Sequence, residues 1–361
     1  MLLVVNAGSS SIKLAVFDAG LREVARAQVE KIVSGGHASA LTEGLQQAGV
    51  TVAGLTAAAH RVVHGGAGLT KACRVDPHVL AAIEACVPLA PLHNPANLMG
   101  IRAVAALAPD LPQFASFDTA FHATNPDVAT RYAIPDADAA LGIRRYGFHG
   151  LSYAELVQAL PKLSDAPLPK RLLALHLGNG ASLCAILDGR SVATTMGYSP
   201  LSGLTMGTRA GSMDGNAVLR LAQVHGIEKA ARILNFESGL LALGGASDMR
   251  ALHAAGTAET RFAVDHFCYW AVRHAGSLIA AMGGLDGVAF TGGIGENDAV
   301  VRARILDGLA WAGAQYDPAA NRSSSARLHE SGSHVAIWTV PAQEERQIAS
   351  EALALMGIGS Q

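Results

Sequence analysis

The chain writes one strand–turn–strand pattern twice. Residues 2–19 read LLVVNAGSSSIKLAVFDA and residues 172–189 read LLALHLGNGASLCAILDG, and the two align without a gap at a constant offset of 170. Leu2, Leu3, Gly8, Ala15 and Asp18 recur as Leu172, Leu173, Gly178, Ala185 and Asp188. Each time apolar runs flank a turn rich in Gly, Ser and Asn. That is the pattern of a β-hairpin whose turn exposes backbone N–H groups beside small hydroxyl or amide side chains, as a phosphate cradle does. A chain that repeats such a turn in both halves is expected to fold as two related domains that hold a phosphate chain between them.

The bulk properties agree. A chain of 361 residues favours two domains, and with half of its residues hydrophobic it has material for two cores. Only 16% of residues are charged and the net charge is −2, with no basic stripe, so no nucleic-acid partner is expected. Anion binding must then rest on a few placed residues. None of Cys73, Cys86, Cys184 and Cys268 forms a C-x-x-C pair, which argues for reduced thiols in a cytoplasmic protein and against a zinc or disulfide framework. The N-terminus reaches Asn6 and Gly8 after a short apolar run with no basic segment, unlike a signal peptide. Gly283, Gly284 and Asp286 interrupt the most hydrophobic region, so no membrane span is expected.

Strand-like and helix-like stretches alternate. After the first hairpin, 21–54 reads as a variable stretch broken at Gly35–Gly36. Residues 55–64 read as a buried strand, 77–87 and 96–108 as helices, and 113–121 as a strand with Asp118 near its end. Pro126 and Pro135 punctuate a linker. In the second half, helices are expected near 151–160, 216–225, 228–235 and 258–282, and strands at 287–291 and 334–340. A last helix follows Pro341, and another begins at about 298 after the TGGIGEN turn. Alternation of this kind argues α/β, and the hairpins argue mixed sheets.

Several short segments carry the candidate chemistry. NAGSSSxK at 6–13 lacks the Walker A spacing and leads into a strand, so its cradle must be a hairpin turn, with Ser9 and Ser11 as hydroxyl donors. Lys13 reads equally as a phosphate contact or a solvated edge lysine. GLTMGTRAG at 203–211 sets Arg209 among small residues, where a guanidinium can approach crowded anions. TGGIGEN at 291–297 lies between strand and helix but lacks the dinucleotide-fold spacing. His93 and His149 sit in rigid turns beside apolar residues, whereas His60 and His64 read as core or edge histidines. Arg61, in a strand with few other charges, needs an anion: an internal carboxylate or a substrate's. Asp118 and Glu344 end apolar strands, and with Asn6 they offer oxygen donors for a water-rich Mg²⁺ site.

Taken together, the chain resembles the acetokinase family. NAGSSSxK, HRVVHGG at 60–66, APLHNP at 90–95, FDTAFH at 117–122, YGFHG at 146–150, HLGNG at 176–180, MGTRAG at 206–211 and TGGIGEN follow in order across nearly the whole chain. The resemblance implies the duplicated α/β fold of the sugar kinase, Hsp70 and actin superfamily, with mixed sheets flanked by helices and an active-site cleft between domains. The expected domains are 1–122 with 346–361, binding acyl group and phosphate, and 123–345, binding nucleotide and dimerising. It implies transfer of the ATP γ-phosphoryl to acetate, or to propionate or butyrate, with Mg²⁺ or Mn²⁺, in a homodimer; a sugar-acting kinase of the same superfamily, against which Arg61 argues, and a nucleotide-dependent binding module of the Hsp70 type are the alternatives.

In that family the matches to Arg61, Asp118, His149, Arg209 and His93 are catalytic. Asn6, Ser9, Ser11, Lys13, His176, Gly178, Asn179 and Gly180 match phosphate-side positions. Ser247, Asp248, Met249, Arg250, Gly293 and Ile294 match nucleoside-side positions. Val63, Leu92, Phe148 and Pro200 match an apolar pocket for the acyl methyl, and Asn6 and Glu344 match metal positions. The chain departs from the family at Ser202, over Ser212-Met213-Asp214-Gly215, at Met249 where Phe is common, and at Ala342-Gln343 before Glu344.

Overall fold

The computed structural model describes residues 1–33 and 35–358. They fall into two compact units: Met1–Ala123 with Phe148–Glu155 and the segment from Gln343 onward, and Thr124–Gly147 with Leu156–Ala342. Residues 148–155, placed by the sequence reading with the second half, group with the first.

The first unit is built on a six-stranded sheet. Its strands are β1 (Leu2–Ala7), β2 (Ser11–Phe17), β3 (Glu23–Glu30), β4 (Ala57–Val62), β5 (Cys73–Arg74) and β6 (Gln113–Phe117), in the order β3-β2-β1-β4-β6-β5. β1 is antiparallel to β2 and parallel to β4, and β4 is parallel to β6. β1 is apolar at almost every position because both faces of the sheet are covered. Leu3, Val5, Ile12, Leu14 and Val16 face the helices His37–Gln47 and Asn94–Leu107. Leu2, Val4, Ala15 and Phe17 face Ile348, Ala349, Ala352 and Leu353 of the helix Glu344–Leu355.

The second unit repeats the plan. Its strands are β7 (Arg171–Leu177), β8 (Ala181–Leu187), β9 (Arg190–Thr194), β10 (Gly287–Thr291) and β11 (Ala336–Thr339), in the order β11-β10-β7-β8-β9. Read from the hairpin outward, β3-β2-β1-β4-β6 and β9-β8-β7-β10-β11 have the same order and the same strand directions. The duplication legible in two hairpins thus extends to five strands per unit. The helix Ala258–Met282 packs over β8, burying Ala263, Phe267, Ala271 and Ala275 at roughly four-residue spacing.

The gapless sequence repeat conceals a difference in pairing. In the first hairpin Ala7 pairs with Ile12, whereas in the second Leu177 pairs with Ala181. Gly8-Ser9-Ser10-Ser11 therefore forms a turn one residue wider than Gly178-Asn179-Gly180.

Three sequence expectations are revised. The stretch 21–54, read from the sequence only as variable and without elements, holds β3 and the helix His37–Gln47, whose Ala40, Leu41 and Leu45 bury one face. Helix and sheet approach closely there, since a Cβ on Gly44 would lie 2.6 Å from Leu14 Cδ1. The Gly35–Gly36 break adjoins Ser34, which lies outside the described residues. The segment Gly292–Asn297 is itself a short helix, with a second helix at Ala299–Gly308. β6 ends at Phe117, because Asp118 turns the chain into the 3₁₀ segment Ala120–Thr124.

Candidate active site

In the first unit the proposed site residues gather at the ends of β1, β4 and β6. Arg61, on β4, points its Nε and Nη2 at the two carboxylate oxygens of Asp118, at 3.2 and 2.7 Å. Asp118 is the first residue past β6 and only 2% exposed. A second carboxylate, Glu344 in the first turn of the helix Glu344–Leu355, stands 3.7 Å from Arg61 Nη1. Burial works against the guanidinium charge, but Asp118 and Glu344 outweigh it and hold Arg61 firmly protonated. Two internal carboxylates thus face Arg61.

Buried amides and carbonyls fix the backbone around this pair. Asn97, on the helix Asn94–Leu107, donates from Nδ2 to Ala7 O at 2.8 Å and accepts from Val63 N at 3.0 Å. It ties the serine turn to the end of β4. Asn94 does the same at His64, accepting from its N–H and donating to its carbonyl. His37 Nε2 lies 2.9 Å from Gly8 O and Ile32 N donates to Ser10 O, so the wide turn is held from two sides. Asn6 pairs with Lys13 across the hairpin, which puts both side chains on one face. β2 lies between β1 and β3, so Lys13 is exposed but not on a sheet edge.

The YGFHG segment closes the first-unit group. His149 adopts φ +59°, a left-handed conformation unusual outside glycine and a form of strain found at functional sites. Gly150 N donates to Asp118 O at 2.8 Å, and no Cβ fits at Gly150 because it would lie 2.2 Å from that oxygen. His122, buried at 2% exposure, donates from Nε2 to Phe148 O at 2.9 Å. Burial pushes its pKa down to about 4, against the pull of that bond, so the ring is neutral. Phe148 is buried with its ring 5.5 Å from His64 in an edge contact. Val63 is buried, Leu92 exposed and His93 half-buried at the N-terminal cap of the helix Asn94–Leu107.

In the second unit the glycine turn, the arginine loop and the Ser247 segment converge on Gly207. Its N–H donates to Asn179 O at 3.0 Å. A Cβ there would lie 1.9 Å from Asn179 Oδ1 and 3.3 Å from Ser247 O. Arg209, further along the loop, donates from Nη1 to Pro200 O at 3.1 Å. Gly239, at φ +65°, lets the next helix lie against this loop, where a side chain would meet Met206 O at 2.1 Å. His176, on β7, is half-buried beside the turn that carries Gly178 and Gly180.

Asp248 caps the helix Met249–Ala255 through Arg250 N and Ala251 N, and Arg250 grips it in a bidentate pair. The hydrogen bond from the Arg250 side chain leads the effects that lower the Asp248 carboxyl to about 2. Met249 is buried, so its side chain belongs to the core. Gly293 is exposed, with no atom within 4 Å of where a Cβ would stand, and Ile294 is half-buried beside it.

Sequence reasoning missed the groups that support these residues. Arg302 is fully buried, and its five N–H donors reach Asn321 Oδ1 and O, Gly295 O, Glu296 O and Ser324 Oγ. It holds the end of the short helix that carries Gly293. His253 Nε2 lies 2.8 Å from Asp298 Oδ2, the cap of the next helix. The signal for Arg302 was present, as an arginine between apolar neighbours in AVVRARILDG. Asn94 and His122 lie inside APLHNP and FDTAFH, which assign them no role, and nothing local marked Asn97.

The donor chemistry suits a hard divalent cation. The Asn6 amide and the Glu344 carboxylate offer oxygens, and Glu344 keeps 16% of its side chain exposed, as a cation retaining water ligands requires. No described helix is long and apolar enough to cross a membrane.

Mixed sheets of this duplicated order, each with a small-residue hairpin turn at its centre, define a two-domain kinase fold of the sugar kinase and actin type. Comparison with known proteins sharpens the class. Residues 38–350 match the Acetokinase family. The chain is 42% identical to the acetate kinase of Nitrobacter hamburgensis over 388 aligned residues, covering 98% of this chain and 96% of that one. It is 41% identical to the acetate kinase of Deinococcus radiodurans, covering 98% of each. Among solved structures, Porphyromonas gingivalis acetate kinase superposes with a TM-score of 0.90 at 32% identity, covering 98% and 99% of the two chains. A propionate kinase from Francisella tularensis gives 0.90 at 34% identity, covering 97% and 98%. The chain belongs to the acetokinase family.

Proposed function

We propose that this protein is an acetate kinase, transferring the γ-phosphoryl of ATP to acetate to give acetyl phosphate and ADP, and running the reverse reaction. The observation that carries the reading is Arg61: a guanidinium kept charged at the end of β4, in a chain whose relatives at about 40% identity are named acetate kinases.

The chemistry asks little of a base. A carboxylate with an ordinary pKa of about 4 is already ionised at neutral pH. Its oxygen forms the new P–O bond in line with the bond that breaks to ADP. The barrier is repulsion between two anions and the charge that builds on the phosphoryl, so positioning and electrostatics do most of the catalysis. Arg61 holds the acetate carboxylate and Arg209 the transferring phosphoryl. His149 donates to a phosphoryl oxygen and His93 assists. Asp118 orients Arg61, and its own ion pair disqualifies it as a base.

Asn6, Ser9, Ser11 and Lys13 serve the phosphates from the serine turn, and His176, Gly178, Asn179 and Gly180 from the glycine turn. Asp248, Met249, Arg250, Gly293 and Ile294 lie on the nucleoside side, with Met249 contributing backbone. Val63, Leu92, Phe148 and Pro200 surround the methyl. Asn6 and Glu344 hold Mg²⁺, with Mn²⁺ as a substitute, and the ion when bound neutralises phosphate charge. The acyl and phosphate role belongs to the first unit, and the nucleotide role to the second.

Propionate is the second reading, favoured by the likeness to a propionate kinase. A homodimer is supported by exposed Leu219, Ile227, Phe262 and Tyr269 on second-unit helices. Acyl hydroxamate formed from MgATP, hydroxylamine and acetate, propionate or butyrate tests the function. Acetate should give the highest kcat/KM, with no product when EDTA exceeds the metal. Turnover with none of the three acids overturns the proposal.

A further inference from the structure

Beside the segments that carry Asp118 and His149 lies an open cavity of about 440 Å³, a volume typical of small-molecule sites. The helix Glu344–Leu355 forms one wall, the chain around Phe117–Phe121 a second, the first turn after His149 a third, and residues 70–72 the mouth. Its lining is mostly apolar: Phe121, Leu151, Ala154 and Leu355 are typical. None of the acyl-side residues named above lines it.

Glu351 brings a carboxylate to that lining, which also includes Thr70 and Lys71. Its Oε1 accepts from Gln347 Nε2 at 2.9 Å, and the buried Ser116 hydroxyl on β6 also bonds to it. Both partners are neutral. Among the described residues no lysine or arginine pairs with this carboxylate, and Lys71 stands exposed at the mouth. Burial raises the Glu351 pKa, which neutral donors only partly offset. A carboxylate set in an apolar wall gains most from a cation that brings its own apolar body into the cavity.

We propose that this cavity binds a small organic ammonium, a primary amine on an apolar body of about four to eight carbons, with the –NH₃⁺ on Glu351 and the body against Phe121, Leu151 and Leu355. Lys71 at the mouth disfavours a second positive charge on the ligand.

The site is coupled to the candidate active site by covalent continuity. Phe117 precedes Asp118, Gly150 follows His149, and the helix that presents Glu351 begins at Glu344, 3.7 Å from Arg61. Filling the cavity shifts the segments that orient Arg61. This consequence, unlike the binding itself, rests on the kinase reading.

The test is calorimetric titration of the full chain with phenethylammonium chloride, against 2-phenylethanol as the neutral near-isostere. The amine should bind at least about tenfold more tightly than the alcohol. Glu351→Gln keeps both hydrogen bonds but not the charge, and should abolish that preference. Equal binding of amine and alcohol, or a preference that survives Glu351→Gln, overturns the proposal. Should Glu351→Gln fail to fold, Ala154→Phe decides: it fills the cavity, and amine binding that persists in it also overturns the site. In the hydroxamate assay, saturating amine should move KM for acetate at least about twofold in the parent and not in Glu351→Gln. An unmoved KM with intact calorimetric binding sinks the coupling alone. Absence of any hydroxamate counts against the kinase reading and leaves the binding result standing.

Discussion

Asp118 and Gly150, far apart in the chain, are locked together by one backbone hydrogen bond of 2.8 Å from Gly150 N to Asp118 O. The bond ties the residue after His149 to the backbone of Asp118, whose carboxylate orients Arg61. It exists only because residue 150 has no side chain, since a Cβ would sit 2.2 Å from the Asp118 oxygen and 3.0 Å from Phe121 Cβ. Gly150→Ala should therefore cost about 2 kcal/mol or more of stability and lower kcat together with it. Urea unfolding and steady-state kinetics check both, and a variant matching the parent in both would mean that the segment yields freely.

Gly293→Ala makes the opposite forecast for stability. Nothing lies within 4 Å of the added methyl, and the position is helical, so the fold should be unchanged or gain up to about 1 kcal/mol. On the proposed nucleoside side the same methyl would occupy ligand space. KM for ATP should rise about fivefold or more while KM for acetate stays put. An ATP KM within about twofold of the parent would place the nucleotide elsewhere.

Arg209→Ala removes a guanidinium that donates to Pro200 O and to the Met206 sulfur. The fold should survive, and kcat should fall about 10²-fold or more, the scale of a lost transition-state donor. Turnover within a few-fold of the parent would take Arg209 away from the phosphoryl.

Acyl selectivity should respond to Val63. It is buried one residue past β4, with its N–H pinned by Asn97. Val63→Ala should improve propionate and butyrate relative to acetate by about 5–50-fold in kcat/KM, chiefly through KM, and leave KM for ATP alone. If the acetate-to-propionate ratio holds still, Leu92 or Phe148 becomes the better candidate.

Acid sensitivity follows from two buried histidines. Burial lowers His60, bonded to Gln113 Oε1, and His122, bonded to Phe148 O, from 6.5 to about 4. Between these values the unfolded chain takes up protons that the folded chain refuses. Stability is therefore complete above about pH 6.5 and declines as pH falls toward 4, by about 3 kcal/mol per histidine at most. Urea midpoints from pH 8 to 4.5 should show the decline, and His122→Asn, whose amide can donate without titrating, should make it shallower. A flat profile below pH 6 would rule out both histidines as its cause.

Much of the site was legible because its residues sit in turns whose composition is unusual. The serine and glycine turns, Arg209 among glycines, and Arg61 in an apolar strand stand out against any background. The supports did not stand out. Asn94 and Asn97 look like ordinary helix-start residues until their amides are seen on β1 and β4 backbone. His122 and Arg302 act on carbonyls brought near by folding.

The sequence alone determined the duplication, the mixed α/β class and the turns that carry the candidate chemistry. Those follow from local composition and from apolar periodicity, which each segment carries within itself. Only the tertiary structure decided that the serine turn is one residue wider than its repeat, because strand register depends on which side chains pack across the sheet. Packing alone also set residues 148–155 with the first unit, buried Met249, and chose Asp118 and Glu344 as the anions of Arg61. A charge's partner is fixed by distance in space, and no spacing along the chain records it.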